Sequence, residues 1–123
     1  MSKNTYPKLV ADLGGTNIRL AICLQCDEKL KQFKLLDIKQ YQLRDYQDLK
    51  HLINTYVKSI DSVNDIDNIK SCCFAVAGPI LENTVQMTNY NWEITTSLLN
   101  KILKINNAVL INDFLAIAHS IEF

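Results

Sequence analysis

The apolar positions of this chain change period along its length, and the changes mark out its elements. Leu9, Val10 and Ala11 run into Asp12, which predicts a short buried strand over 8–12. Gly14 and Gly15 follow as a turn. Over 17–24 the pattern alternates, with Ile18, Leu20 and Ile22 on one face and Arg19, Ala21 and Cys23 on the other. That period of two predicts a second strand and, with the first, a β-hairpin. A weaker third strand is expected over 31–41.

The period then changes. Leu49, Leu52, Ile53, Tyr56, Val57 and Ile60 recur at three- and four-residue spacing, one face of a helix over 45–60. Asp45 is the expected N-cap, with Asp48 in the first turn. Residues 61–68 read as a polar loop. The unbroken apolar run over 72–77 predicts a strand buried on both faces. A short strand is expected over 84–87. Thr95 is placed to cap a helix carrying Leu98, Leu99, Ile102 and Leu103. Another buried strand is expected over 108–111, and a last helix from Phe114. Three leading strands followed by alternating helices and strands predict an α/β fold, a mixed sheet covered by helices.

Composition agrees with one globular domain. The 123 residues are 48% hydrophobic and 21% charged, enough to bury a core without staples. Thirteen basic side chains balance thirteen acidic ones. No basic excess exists to neutralise a nucleic-acid backbone, so no nucleic-acid partner is expected. The first 70 residues carry 11 basic and 9 acidic groups and the rest 2 and 4, too small an asymmetry to name a partner. The opening residues lack a signal-peptide pattern, and no apolar run is long enough to span a membrane. A cytoplasmic protein with reduced cysteines is expected. Glycine is scarce: three residues, where ordinary usage of ~7% gives about nine. All three sit in suspect places, Gly14 and Gly15 in the hairpin turn and Gly78 before Pro79. Glycine there is expected to supply positive φ or close approach to a ligand.

Three segments carry candidate chemistry. In Asp12-Leu13-Gly14-Gly15-Thr16-Asn17, successive N–H groups can converge on an anion, and Thr16 and Asn17 add donors. Asp12 is a hard oxygen ligand suited to Mg²⁺, usually through water. A plain hairpin turn would need no more than the same glycines. Asn112-Asp113 leaves a strand where α/β folds hold ligand groups. Asp113 can take a proton from an attacking hydroxyl and Asn112 can bond a neighbouring one, although Asp113 would equally suit a helix cap. The third segment joins Ala77-Gly78-Pro79-Ile80 to Met87-Thr88-Asn89-Tyr90-Asn91-Trp92, amides and aromatics that suit a sugar; a loop packed down by Trp92 is the plain alternative. Cys23 and Cys26 have the spacing of half a zinc or redox site, but Cys72-Cys73 does not complete it. His51 and His119 have no evident partner in sequence.

Taken together, these segments resemble the bacterial glucokinases of the hexokinase, actin and chaperone-ATPase fold group. The resemblance rests on Val10-Ala11-Asp12-Leu13-Gly14-Gly15-Thr16-Asn17-Ile18-Arg19-Leu20, on Ala75-Val76-Ala77-Gly78-Pro79-Ile80, on Met87-Thr88-Asn89 with Trp92, and on Ile111-Asn112-Asp113-Phe114, in family order. It implies a ribonuclease H-like lobe and transfer of the ATP γ-phosphoryl group to the 6-hydroxyl of glucose. Asp113 would then be the catalytic base. Asn112, Asp113, Asn89 and Gly78 would line the sugar. Asp12, Leu13, Gly14, Gly15, Thr16 and Asn17 would hold the nucleotide, with Asp12 near Mg²⁺. Arg19 matches the arginine closing the first motif, with its role open. The resemblance is compatible with a homodimer in the whole protein.

Members of that family are several-fold longer. Their second lobe carries a further phosphate loop, the adenosine pocket and more sugar ligands. Residues 1–123 are therefore expected to be the N-terminal lobe, with the second lobe absent and no turnover by the segment alone. A sugar sensor on the same fold is the rival expectation. Its relatives add an N-terminal helix-turn-helix, for which a hairpin starting at residue 8 leaves no room.

Overall fold

The computed structural model describes residues 7–27, 32–60, 66–87 and 90–112. Strand β1 spans Lys8–Leu13 and β2 Asn17–Asp27, paired antiparallel from Lys8 opposite Cys23 to Leu13 opposite Ile18. Strand β3, Gln32–Gln42, pairs antiparallel with β2. The expected alternation is present: Ile18, Leu20 and Ile22 are fully buried on one face. Arg19 stands exposed on the other, and Ala21 and Cys23 join it there as buried small side chains.

Helix α1 is Leu49–Lys58, shorter than expected at its start. The N-cap is Asp48, whose carboxylate accepts a 2.8 Å hydrogen bond from the His51 N–H, and not Asp45. Asp45 sits instead in a single 3-10 turn, Leu43–Asp45, and the extended backbone of Tyr46 stops that turn from growing into the helix. The cap belongs immediately before the first apolar position of the stripe, which is Leu49. Within the 61–68 loop, Ile66–Asn68 forms another 3-10 turn.

Strand β4, Ser71–Val76, lies parallel to β1, with Cys72, Phe74 and Val76 on the core face and Cys73 and Ala75 on the other. The double-sided burial expected there is observed. Strand β5, Thr84–Met87, pairs with β6, Trp92–Thr95. This second hairpin buries Val85, Met87 and Ile94 in the main core and exposes Gln86 and Glu93. Strand β6 was not expected, because four residues with two apolar positions give little period to read. Helix α2, Thr96–Leu103, starts at Thr95, whose hydroxyl accepts from the Leu98 N–H at 2.8 Å, as expected. It ends at Lys104 in the left-handed region, with the Ile105 N–H returning to the Asn100 carbonyl at 3.0 Å. Such endings usually take glycine.

Strand β7, Val109–Ile111, lies parallel to β4 and completes the order β3-β2-β1-β4-β7. It was expected to be buried, but it is an edge of the described sheet, and Val109 is 46% exposed. The helix expected from Phe114 lies outside the described residues. The buried faces of α1 and α2 form one cluster with Leu9, Leu13, Ile18, Leu20, Ile22, Phe74 and Val76. Each fully buried aliphatic or aromatic side chain contributes about 1.5–3 kcal/mol, so this single layer holds the strand ends in place. Three antiparallel leading strands followed by parallel ones is the ribonuclease H-like lobe expected.

Candidate functional site

Because β1, β4 and β7 are mutually parallel, their carboxyl ends emerge at one edge of the sheet. That edge is where α/β folds place ligands, and it gathers the three candidate segments. Gly14 to Asn17 follow β1, Ala77 to Ile80 follow β4, and Asn112 follows β7. The ends are laced together. The Ala77 N–H donates to the Leu13 carbonyl at 3.3 Å. The Asn112 side-chain amide donates to the Gly78 carbonyl. Asp113 and Asn89, the expected base and a sugar ligand, lie outside the described residues, as does Thr88.

The hairpin turn is closed by the Gly14 N–H donating to the Asn17 carbonyl at 2.8 Å. That amide is therefore spent inside the turn. The Leu43 N–H anchors the Thr16 carbonyl at 2.9 Å, tying the turn to the segment leading into α1. The Thr16 hydroxyl accepts from the Asn17 amide at 3.2 Å and keeps its own proton to donate outward.

The glycines depart from expectation in an informative way. None of them has positive φ. A Cβ on Gly14 would come no nearer than 3.5 Å to the Asn17 carbonyl oxygen, and one on Gly78 no nearer than 3.8 Å to Val85. Both are ordinary contacts. The chain does have left-handed positions, and it fills them with Asp37, Glu82, Asn83, Asn91 and Lys104. Gly14, Gly15 and Gly78 instead share one place. All three line an open depression of about 170 Å³ at the strand ends, with Pro79, Gln86 and Met87 among its other walls.

Asp12 does not line that depression. It is half-buried on the opposite face, in a row that crosses the sheet from Gln40 through Arg19 and Asp12 to Ala75 and Ile111. Arg19 is exposed and donates to the Gln40 side-chain oxygen at 3.4 Å. Among the described residues no group of three His, Cys, Asp or Glu side chains could hold a metal by itself. A lone carboxylate suits Mg²⁺ all the same, because that ion keeps several waters and takes further oxygens from substrate phosphates. The residues present fit that mode and not a protein cage.

The aromatic loop is partly structural. Trp92 pairs with Met87, its carbonyl accepts from the Gln86 amide at 3.2 Å, and its ring and that of Tyr90 pack against the core. Among the described residues the cysteines join no metal-binding cluster. Cys72 and Cys73 point to opposite faces, so they cannot share a ligand. Burial, and then the neighbouring Cys73, push the Cys72 thiol up to about 12, and burial raises Cys73 as well. Both stay protonated near neutral pH, the wrong state for metal binding or nucleophilic attack. The Cys26 side chain and His119 lie outside the described set. His51 packs its ring edge-on to Tyr46, a structural role. A larger depression of about 270 Å³ between α1 and α2 is flanked by Asp48, Lys50 and Lys101, and Asp48 is occupied there as the helix cap.

The glucokinase family model matches residues 9–123. The chain belongs to the glucokinase family. It is 39% identical over 113 residues to the glucokinase of Colwellia psychrerythraea and 31% identical over 121 residues to that of Campylobacter jejuni subsp. doylei. Those matches span 92% and 98% of this chain but 32% and 33% of the relatives, so it covers about a third of their length. A crystal structure of a glucokinase from an Antarctic psychrotroph superposes with a TM-score of 0.75 at 30% identity, over 93% of this chain and 34% of the other. A glucokinase from Balamuthia mandrillaris, crystallised with glucose, has the same fold, with a TM-score of 0.65 at 21% identity over 98% of this chain and 33% of its own. Among the described residues, no helix of this family member is long and apolar enough to cross a membrane.

Proposed function

We propose that this chain forms the N-terminal lobe of an enzyme that transfers the γ-phosphoryl group of ATP to the 6-hydroxyl of glucose. The observation that carries this reading is the placement of glycine. All three glycines line one depression at the strand ends, and none has a backbone that needs glycine. Glycine without such a need costs conformational entropy, so its use there points to a ligand that must approach the backbone closely.

The roles follow. The Gly14–Gly15 turn leaves room for phosphate oxygens, and the Thr16 hydroxyl donates to them. Leu13 and Asn17 hold the turn's two ends. Asp12 would hold Mg²⁺ through water, and the ion when bound would offset charge on the phosphates. Asp113 accepts the proton of the attacking sugar hydroxyl. Asn112, Asn89 and Gly78 position the sugar. Phosphoryl transfer needs chiefly positioning and charge stabilisation, so a small set of groups suffices on this wall of the cleft. Exclusion of water needs a second wall, so this segment by itself would turn nothing over.

The test is glucose-dependent ATP consumption by the whole protein, compared with Asp113→Ala. Turnover in the wild type and a fall of about 10²–10⁴-fold in the variant are expected. Near-normal turnover in the variant would remove Asp113 as the base. Absence of glucose-dependent turnover in the wild type would overturn the reading itself.

A further inference from the structure

We propose that Asn112 is a positioning residue, which pins the Gly78 turn to the end of β7 and thereby sets the sugar side of the site. This rests on the reading of Asn112 as part of that site. The bond runs from the Asn112 side-chain amide to the Gly78 carbonyl. Its direction is fixed by chemistry, since a carbonyl oxygen can only accept. One amide N–H is thus committed, and the amide plane cannot turn over without losing that bond. The side-chain carbonyl oxygen and the second N–H are what remain for a ligand.

The consequence reaches past one side chain. Gly78 follows Ala77, whose N–H is bonded to the Leu13 carbonyl, next to the hairpin turn. The ends of β1, β4 and β7 are therefore linked in series by two hydrogen bonds between segments far apart in sequence. Gly78 and Leu13 both line the 170 Å³ depression. Strand β7 is only three residues long, and Val109 at its start is 46% exposed. Asn112 supplies a hydrogen bond at the residue next to Asp113.

Two substitutions separate positioning from a simple sugar contact. Asn112→Asp keeps the shape and an acceptor but removes the donor and sets a carboxylate against the Gly78 carbonyl. Asn112→Ala removes both functions. A residue that merely accepts from a sugar hydroxyl would tolerate aspartate, which is the stronger acceptor. A residue that acts through Gly78 would not. In the whole protein without ligand, hydrogen exchange measured by mass spectrometry on the peptide containing Ala77 should rise about tenfold or more in both variants. With glucose, Asn112→Asp should raise KM at least as much as Asn112→Ala. Unchanged exchange in both variants would overturn the proposal, and so would an aspartate variant with wild-type KM for glucose. If the wild type fails to use glucose, the exchange arm still decides the role of Asn112, and only the assignment of substrate falls.

Discussion

Two tight turns in this lobe solve opposite problems. The turn at Gly14–Asn17 contains two glycines whose φ any residue could adopt. The turn at Leu81–Thr84 is closed by reciprocal bonds of 3.0 Å between Leu81 and Thr84, and its central residues Glu82 and Asn83 have φ of 52° and 60°. That is the geometry in which Asn-Gly is the usual choice. Glycine is thus missing where the backbone asks for it and present where the backbone does not. The second turn bears a folding cost, and its residues do not line the depression at the strand ends. The first faces the depression at the strand ends. The contrast separates two uses of glycine that sequence alone merges, freedom in φ and the absence of a side chain.

Of the two turns, the first should show the larger effect, from adding a single methyl. Gly14→Ala places a Cβ in ordinary contact at 3.5 Å, and at such a site the change narrows the unfolded ensemble by about 0.4–1 kcal/mol. The fold should be as stable or slightly more so. Nucleotide use by the whole protein should nevertheless fall by about 10²-fold in kcat/KM, since misplacement of roughly 1 Å costs that much. Thermal melting and steady-state kinetics check both halves. A variant that melts much earlier would return Gly14 to a structural role.

The second turn should respond the other way. Glu82→Gly relieves a left-handed glutamate, a conformation costing roughly 1–2 kcal/mol for most residues. Part of that gain is lost to glycine's larger unfolded entropy, about 0.5–1 kcal/mol. A net stabilisation of roughly 0.5–1 kcal/mol is expected in denaturant melts, with kinetics unchanged. A loss of activity would place this turn in the site and end the contrast.

Much of the architecture was legible in the sequence, because periodicity reports burial directly. Ile18, Leu20 and Ile22 announced β2, and the stripe from Leu49 to Val57 announced α1. Errors arose where the pattern is short or where one acid can substitute for another. Strand β6 has only Trp92 and Ile94 to display a period, although the matching Val85 and Met87 were visible before it. The sequence points to Asp45 as the cap with Asp48 in the first turn, and the extended backbone at Tyr46 moves the cap to Asp48. The apolar run before Asn112 suggested full burial, whereas its place at the edge of the described sheet is a fact of topology. The candidate site was legible as three motifs. Their convergence required the parallel pairing of β1, β4 and β7, a long-range relation no local window contains. The Asn112–Gly78 bond and the ordinary φ of the glycines had no sequence signal at all.

The smallest expected effect discriminates most finely. Asn83 has φ of 60°, as left-handed as Glu82. Asparagine, however, visits that region readily because its short polar side chain bonds locally. The strain relieved by Asn83→Gly is then small, and glycine's added unfolded entropy offsets it. The change should leave stability within about 0.5 kcal/mol, measured beside Glu82→Gly in the same denaturant series. If the two substitutions stabilised equally, φ alone would set the cost, and side-chain identity would not matter at a left-handed position. If Asn83→Gly is neutral while Glu82→Gly stabilises, the chain has used asparagine as a partial substitute for glycine in this turn. Its few glycines would then remain where only a missing side chain will serve.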